Sequence, residues 1–194
     1  MGPTYNQTPV SFESDVAQVL RATPVERISF KVHDIAIDKS QMEAVAKAIE
    51  NQDISVPIGS TGSQLGAAYS SFVGRKFEAG EKKLIGEIKL SSESVVREPV
   101  GKAAIFHESV HALMDVKKIK PPSMQDDEVV AYLADAMYLK MNRTSISGGE
   151  LEMAIYKAAF AMVDRHQMLT KRVALKWSDC NALRDAIRAH PAYQ

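Results

Sequence analysis

Cysteine is almost missing from this chain: Cys180 stands alone among 194 residues. A single thiol excludes an intrachain disulfide framework and any zinc knuckle built from several cysteines, so a metal would have to be held by histidine and carboxylate. An excess of charge is missing too, because 24 Lys and Arg balance 24 Asp and Glu. Without a net field to attract polyanions, neither nucleic acid nor an anionic membrane surface is an expected partner. No uninterrupted apolar run reaches the ~18 residues of a membrane span. Repeats and low-complexity tracts are absent as well. Residues 1–10 are polar, include Pro3 and Pro9, and lack the basic and apolar regions of a secretory leader. They are expected to form a loose arm, with a cytoplasmic location for the protein, although leaderless export would leave no mark of this kind.

What is present is ordinary globular composition, 45% apolar and 25% charged, enough for one domain with a core over residues 11–194. From Ser11 or Ser14, Phe12, Val16, Val19 and Leu20 recur at helical spacing until Thr23-Pro24. Ile28, Phe30 and Val32 alternate with polar residues, and Ile35 and Ile37 resume the strand pattern after Asp34. Asp38 or Ser40 can cap a helix carrying Met42, Val45 and Ile49 on one face. Between Asp53 and Arg97, glycines separate short β-prone runs, of which Leu84 to Leu90 is the clearest strand. From Glu98 the pattern is helical in four pieces: Pro99 to about Val116, Gln125–Asp127 to about Met141, Ser147 to about Leu175, and Ser178 or Asp179 to His190-Pro191. The expected class is α+β, with a small antiparallel or mixed N-terminal sheet and a four-helix C-terminal half sharing one core.

The first of these helices contains His107-Glu108-Ser109-Val110-His111. Residues four apart share a helix face, so both imidazoles can converge on one ion, with the Glu108 carboxylate beside them to take a proton from an ion-polarised water. Ala103, Ala104, Ile105, Phe106, Val110 and Leu113 surround the trio, implying a mostly buried helix with one polar face. Burying two histidines and a glutamate without a shared task is costly. A catalytic zinc takes three protein ligands. The metzincin pattern is excluded, because Met114 and Lys117 stand where its glycine and third ligand belong. A turn at Pro121-Pro122 would fold the next helix back antiparallel, bringing Asp126, Asp127 and Glu128 opposite the motif, and spacing does not choose among the three.

The segment from Glu98 to Leu133 resembles the gluzincin group of zinc metallopeptidases, and its short gap and Glu-x-x-Ala-Tyr run resemble the compact HExxH peptidases of the ImmA/IrrE type. The resemblance implies a zincin-like fold, Zn²⁺ held by His107, His111 and Glu128, Glu108 as general base, and a peptide or protein substrate. Asp127 stands in reserve as third ligand. The family's Asp four residues past that ligand is Tyr132 here, which leaves Asp135 or Asp115 to orient a histidine. For stabilising an oxyanion the candidates are Tyr132, Tyr138, Tyr156, His166 and His33, with Tyr132 ahead because it lies one turn from Glu128. The Leu84–Leu90 strand occupies the place of the zincin edge strand that pairs with substrate backbone. The expected activity is zinc-dependent peptide-bond hydrolysis. The alternative is an inert zincin-like binding, regulatory or effector module that keeps the metal. The six basic residues between Asp164 and Arg188 read as a solvated surface, with Trp177 packing the last helix.

Overall fold

The computed structural model describes residues 12–62, 66–78 and 80–194, so the expected arm over residues 1–10 and a cap at Ser11 lie outside the described residues. Helix α1 (Phe12–Arg21) buries Val16, Ala17, Val19 and Leu20, and α2 (Thr23–Arg27) starts where Pro24 fits a first helical turn. Strands β1 (Phe30–Val32) and β2 (Ile35–Ile37) form a hairpin whose turn places His33 at φ 54°. Asp38 caps α3 (Lys39–Glu50), accepting from the Ser40 and Gln41 amides. Strands β3 (Ile54–Ser55), β4 (Ala67–Ser71) and β5 (Gly86–Leu90) make a second sheet. A 3₁₀ turn at Glu93–Val96 leads into α4 (Pro99–Lys117), followed by α5 (Met124–Met141) and α6 (Glu150–Arg165). Strand β6 (Val173–Leu175), a 3₁₀ turn at Trp177–Cys180, α7 (Asn181–Ala189) and a last turn at Pro191–Tyr193 complete the chain.

The class is α+β, as expected, with small mixed sheets and the four C-terminal helices, but several boundaries differ: α6 begins at Glu150 behind Gly149 and not at Ser147, and Ser178 and Asp179 lie in the 3₁₀ turn before α7. The helix expected to run to Leu175 stops at Arg165. Gln167 adopts φ 55°, the Gln167 and Met168 amides bond back to the Asp164 and Val163 carbonyls, and the buried Met168 closes the end against the core. Val173–Leu175 then pairs parallel to β1, so the first sheet has the order β2-β1-β6 and draws a strand from the C-terminal half. In the other sheet the order is β3-β5-β4. The strand expected over Leu84–Leu90 begins at Gly86 and lies between two partners, with no free edge to receive a peptide; the edge strands are β3 and β4.

Two glycines allow close approaches that position α4 and β4. A Cβ on Gly101 would lie 2.3 Å from the Val95 carbonyl oxygen, where the 3₁₀ turn crosses the first turn of α4. One on Gly86 would lie 2.3 Å from the Tyr69 hydroxyl, because that ring lies across β5. One core unites both halves, with Tyr156, Phe30 and Phe106 among its largest fully buried side chains. Helices α4 and α5 are buried over most of their circumference, which explains why their polar residues carry information. Among the described residues no helix is long and apolar enough to cross a membrane.

Candidate metal centre

Ser123 begins α5 as a cap: its hydroxyl accepts from the Asp126 amide at 3.1 Å and donates to Asp126 Oδ2 at 2.7 Å. This fixes the phase of α5, which runs back along α4. His107 Nε2 then lies 3.3 Å from Glu128 Oε2, and His111 Nε2 lies 3.7 Å from Glu128 Oε1. One ligand atom from each of the three residues falls within 4.8 Å of the others. Ligand distances of about 2.1 Å in a tetrahedral zinc site imply edges of about 3.4 Å, so the separations of both imidazoles from Glu128 suit a small cation. The group of His107, His111 and Glu128 could hold a metal ion.

A second observation supports that fit. Among the described residues, the buried side-chain polar atoms without an aligned hydrogen-bond partner are His107 Nδ1, Asp127 Oδ1, Glu128 Oε2 and Asp135 Oδ1. All four belong to this cluster, although buried polar groups are ordinarily satisfied. A cation between the Nε2 atoms and Glu128 answers the Glu128 orphan directly.

The Nδ1 atoms face away, toward other carboxylates. His111 Nδ1 lies 3.1 Å from Asp127 Oδ1, close but poorly aligned, and His107 Nδ1 lies 3.9 Å from Asp135 Oδ2. Such outer carboxylates orient ligating histidines. They place Asp127 behind His111, while Glu128 meets both Nε2 atoms. Asp126 is engaged elsewhere, by Arg184 Nε at 2.7 Å and by Ser123. Of the two candidates for orienting a histidine, Asp135 faces His107, whereas Asp115 accepts from the Tyr69 hydroxyl at 2.8 Å.

Burial opposes charge throughout the cluster, yet the opposite charges prevail for most members. Desolvation works to lower the His107 and His111 pKa values, but Glu128 and Glu108 raise His107 above the usual histidine range, and Asp127, Glu128 and Glu108 raise His111 to about 10. Burial works to raise the Glu128 pKa, and the two imidazoles and Tyr193 hold it below the ordinary value. Asp135, fully buried, is pushed up to about 6, chiefly by desolvation. These shifts describe a site that concentrates negative charge around two bases, an arrangement suited to a cation.

Glu108, on the same helix, accepts the Tyr69 amide N–H at 2.8 Å. It lines a cleft of about 860 Å³ together with His107, His111, Glu128 and residues of β4. Tyr132 also lines the cleft, with its ring edge against His107 at 4.8 Å between centroids and its hydroxyl 2.9 Å from that of Tyr193. The other oxyanion candidates lie elsewhere. Tyr156 donates to Asp135, Tyr138 packs on Phe106, His166 ends α6, and His33 stacks on Trp177.

Sequence reasoning missed Tyr69, Glu152, His190 and Tyr193, all of which line the cleft. Tyr193 is the most informative of them, because it reaches Tyr132 and Glu128 from the last turn and lies half-buried, its pKa pushed up to about 12 chiefly by burial. No local signal marks it: its partners lie some sixty residues earlier. Comparison of the chain with protein-family models, with curated proteins and with solved structures finds no match in any of the three. The zincin resemblance therefore rests on the residues of α4 and α5.

Proposed function

We propose that this protein is a zinc-dependent peptidase. The observation that carries this reading is the convergence of His107, His111 and Glu128 in a cleft that Glu108 also enters. His107 Nε2, His111 Nε2 and Glu128 would hold the ion, with Asp135 and Asp127 fixing the two rings from behind. When bound, Zn²⁺ supplies Lewis acidity toward a carbonyl oxygen and toward water. Glu108 accepts a proton from the attacking water and delivers it to the departing amine. The Tyr69 amide fixes one oxygen of that carboxylate, leaving the other for the proton. Tyr132 buttresses His107, and through its hydroxyl contact it positions Tyr193, whose more exposed phenol can hydrogen-bond a developing oxyanion. Edge strand β4 lines the same cleft, so an extended peptide has a backbone to lie against.

The test combines metal content with substitution. Zinc bound at one equivalent by the wild type and by Glu108→Gln, with cleavage of a peptide library by the wild type alone, supports the reading. Cleavage that persists in Glu108→Gln overturns it. Zinc binding without cleavage by the wild type would instead identify an inert metal-bearing module.

A further inference from the structure

The geometry points to a docking site, beside the candidate metal centre, for an aromatic or aliphatic side chain of a peptide that carries acidic residues next to it. That the occupant is a peptide rests on the peptidase reading. The site is a pocket of about 780 Å³ between the β4–β5 loop and the end of α4. Phe72, Phe77, Leu84 and Ile85 supply apolar wall, and Val73 stands 67% exposed at the loop. An isolated exposed valine is unremarkable, but here it continues a concave apolar surface that no other part of the described chain covers.

Charge selects the occupant. Lys76, Lys83, Lys118 and Lys120 line this pocket, and none has an ion-pair partner among the described residues. Arg75 differs, since its guanidinium lies over the Phe72 and Phe77 rings at 5.1 and 5.3 Å and pairs with Glu81. The acid in the lining, Asp115, is already bonded to the Tyr69 hydroxyl. In a protein of zero net charge, four unneutralised lysines around an apolar hollow make a local positive field that a hydrophobic side chain flanked by carboxylates complements.

Continuity supplies the geometry. Met114, Asp115, Ile119 and Lys120 line both this pocket and the cleft that holds Glu108, so a chain lying along the cleft enters the pocket without crossing a ridge of other residues. The cleft itself is acidic, through Glu108, Asp127, Glu128 and Glu152. A substrate's acidic stretch therefore belongs on the pocket side and away from the metal side.

The test measures binding in full-length Glu108→Gln protein, which separates docking from turnover. Two fluorescein-labelled peptides are compared, one with glutamates flanking a phenylalanine and the other with lysines in their place. The acidic peptide is expected to bind roughly tenfold tighter, and replacing its phenylalanine by alanine to lose a similar factor. The preference should shrink with added salt and disappear in Lys76→Glu/Lys83→Glu, two exposed positions whose reversal is expected to leave the circular dichroism spectrum unchanged. Val73→Glu, exposed in the same loop, should weaken the acidic peptide independently. Equal binding of both peptides, or a preference that survives the lysine reversals, overturns the proposal. So does dodecanoate binding that the reversals abolish while neither peptide binds, which would make the pocket a fatty-acid site. Wild-type hydrolysis measured in parallel keeps the two readings apart. A charge-dependent peptide preference without cleavage removes the peptidase reading alone, and cleavage indifferent to flanking acids removes the docking site alone.

Discussion

The Tyr69 backbone N–H donates to Glu108 Oε2 at 2.8 Å, joining the edge of the second sheet to the helix that carries both histidines. The same residue's hydroxyl reaches Asp115 one turn past His111. Tyr69 thus spans α4 at two points, and Gly86 makes room for it. Gly86→Ala would set a methyl 2.3 Å from the Tyr69 hydroxyl and 2.6 Å from the Ser70 carbonyl oxygen. The expected cost is about 1–3 kcal/mol of stability, read from urea midpoints, together with lower peptide cleavage. Tyr69→Phe, which keeps the amide bond to Glu108, should lose stability but retain most cleavage. Equal loss of cleavage in both would mean that the Asp115 contact, not the Glu108 contact, governs the site.

Asp135 faces His107 Nδ1 from full burial. Asp135→Asn keeps the volume and an acceptor for the Tyr156 hydroxyl, but removes the negative charge behind the ring. Zinc affinity is expected to fall about 10–100-fold, measured by competition with a chromogenic chelator. The thermal midpoint of the metal-free protein should change far less than the affinity does. Unaltered affinity would show that His107 is oriented by packing against Tyr132 alone.

Arg184 forms an ion pair with the buried Asp126 at 2.6 Å and so ties α7 to the start of α5. Truncating it strands a buried carboxylate, and Arg184→Ala is expected to cost about 3 kcal/mol. The double variant Arg184→Leu/Asp126→Asn should recover part of that loss in chemical denaturation. A loss no larger than that of Arg188→Ala, at the surface, would mean the pair is solvated.

Asp38 gives a pH dependence whose sign follows from its hydrogen bonds. Burial works to raise its pKa, but the Ser40 hydroxyl and the Gln41 and Ser40 amides bond the carboxylate and hold it below the ordinary value. A depressed folded-state pKa stabilises the fold above the unfolded-state value and loses that contribution as pH falls through the folded one. Asp38→Ala should therefore cost about 1 kcal/mol at neutral pH, and the gap from wild type should close below about pH 4. Asp38→Asn, which can still cap, should show a smaller gap at neutral pH. A gap independent of pH would separate the cap from the charge.

Four helices end on a left-handed residue that is not glycine: Gln52 after α3, Lys118 after α4, Arg143 after α5 and Gln167 after α6. In each case the following amide bonds back into the last turn, as with Thr144 N–H to the Leu139 carbonyl at 3.0 Å. Arg143→Gly, exposed and outside the cleft lining, should therefore stabilise the protein by up to about 1 kcal/mol. Calorimetry checks this, and destabilisation would mean that the arginine side chain contributes more than its backbone conformation costs.

These ends also explain what could be read from the sequence. The cap at Asp38 or Ser40, which the structure assigns to Asp38, the start of α4 at Pro99 and the apolar spacing in α1 and α3 are local signals, and they placed those elements well. His107 and His111 were legible from helical spacing, and the turn at Pro121-Pro122 placed Asp126, Asp127 and Glu128 opposite them, whereas the choice of Glu128 rested on the zincin resemblance and not on spacing. The end of α6 was not, since Gln167 carries none of the glycine signal that usually marks a helix stop. β6 was absorbed into that helix because three residues offer too short a period to tell strand from helix. The edge position of β4 and the approach of Tyr193 depend on pairings across long stretches of chain, and no local pattern encodes them.

The parallel pairing of β1 with β6 bears on how the chain reaches this structure. Phe30 waits for Val173, so the first sheet cannot close during synthesis until the chain through Leu175 has emerged. The α4–α5 hairpin, whose contacts are near in sequence, needs no such delay. Until β6 arrives, β1 presents an unpaired edge to other chains. Interrupting the protein after α6 would therefore leave the metal ligands together but create an aggregation-prone product, because the strand that protects the first sheet lies beyond that helix.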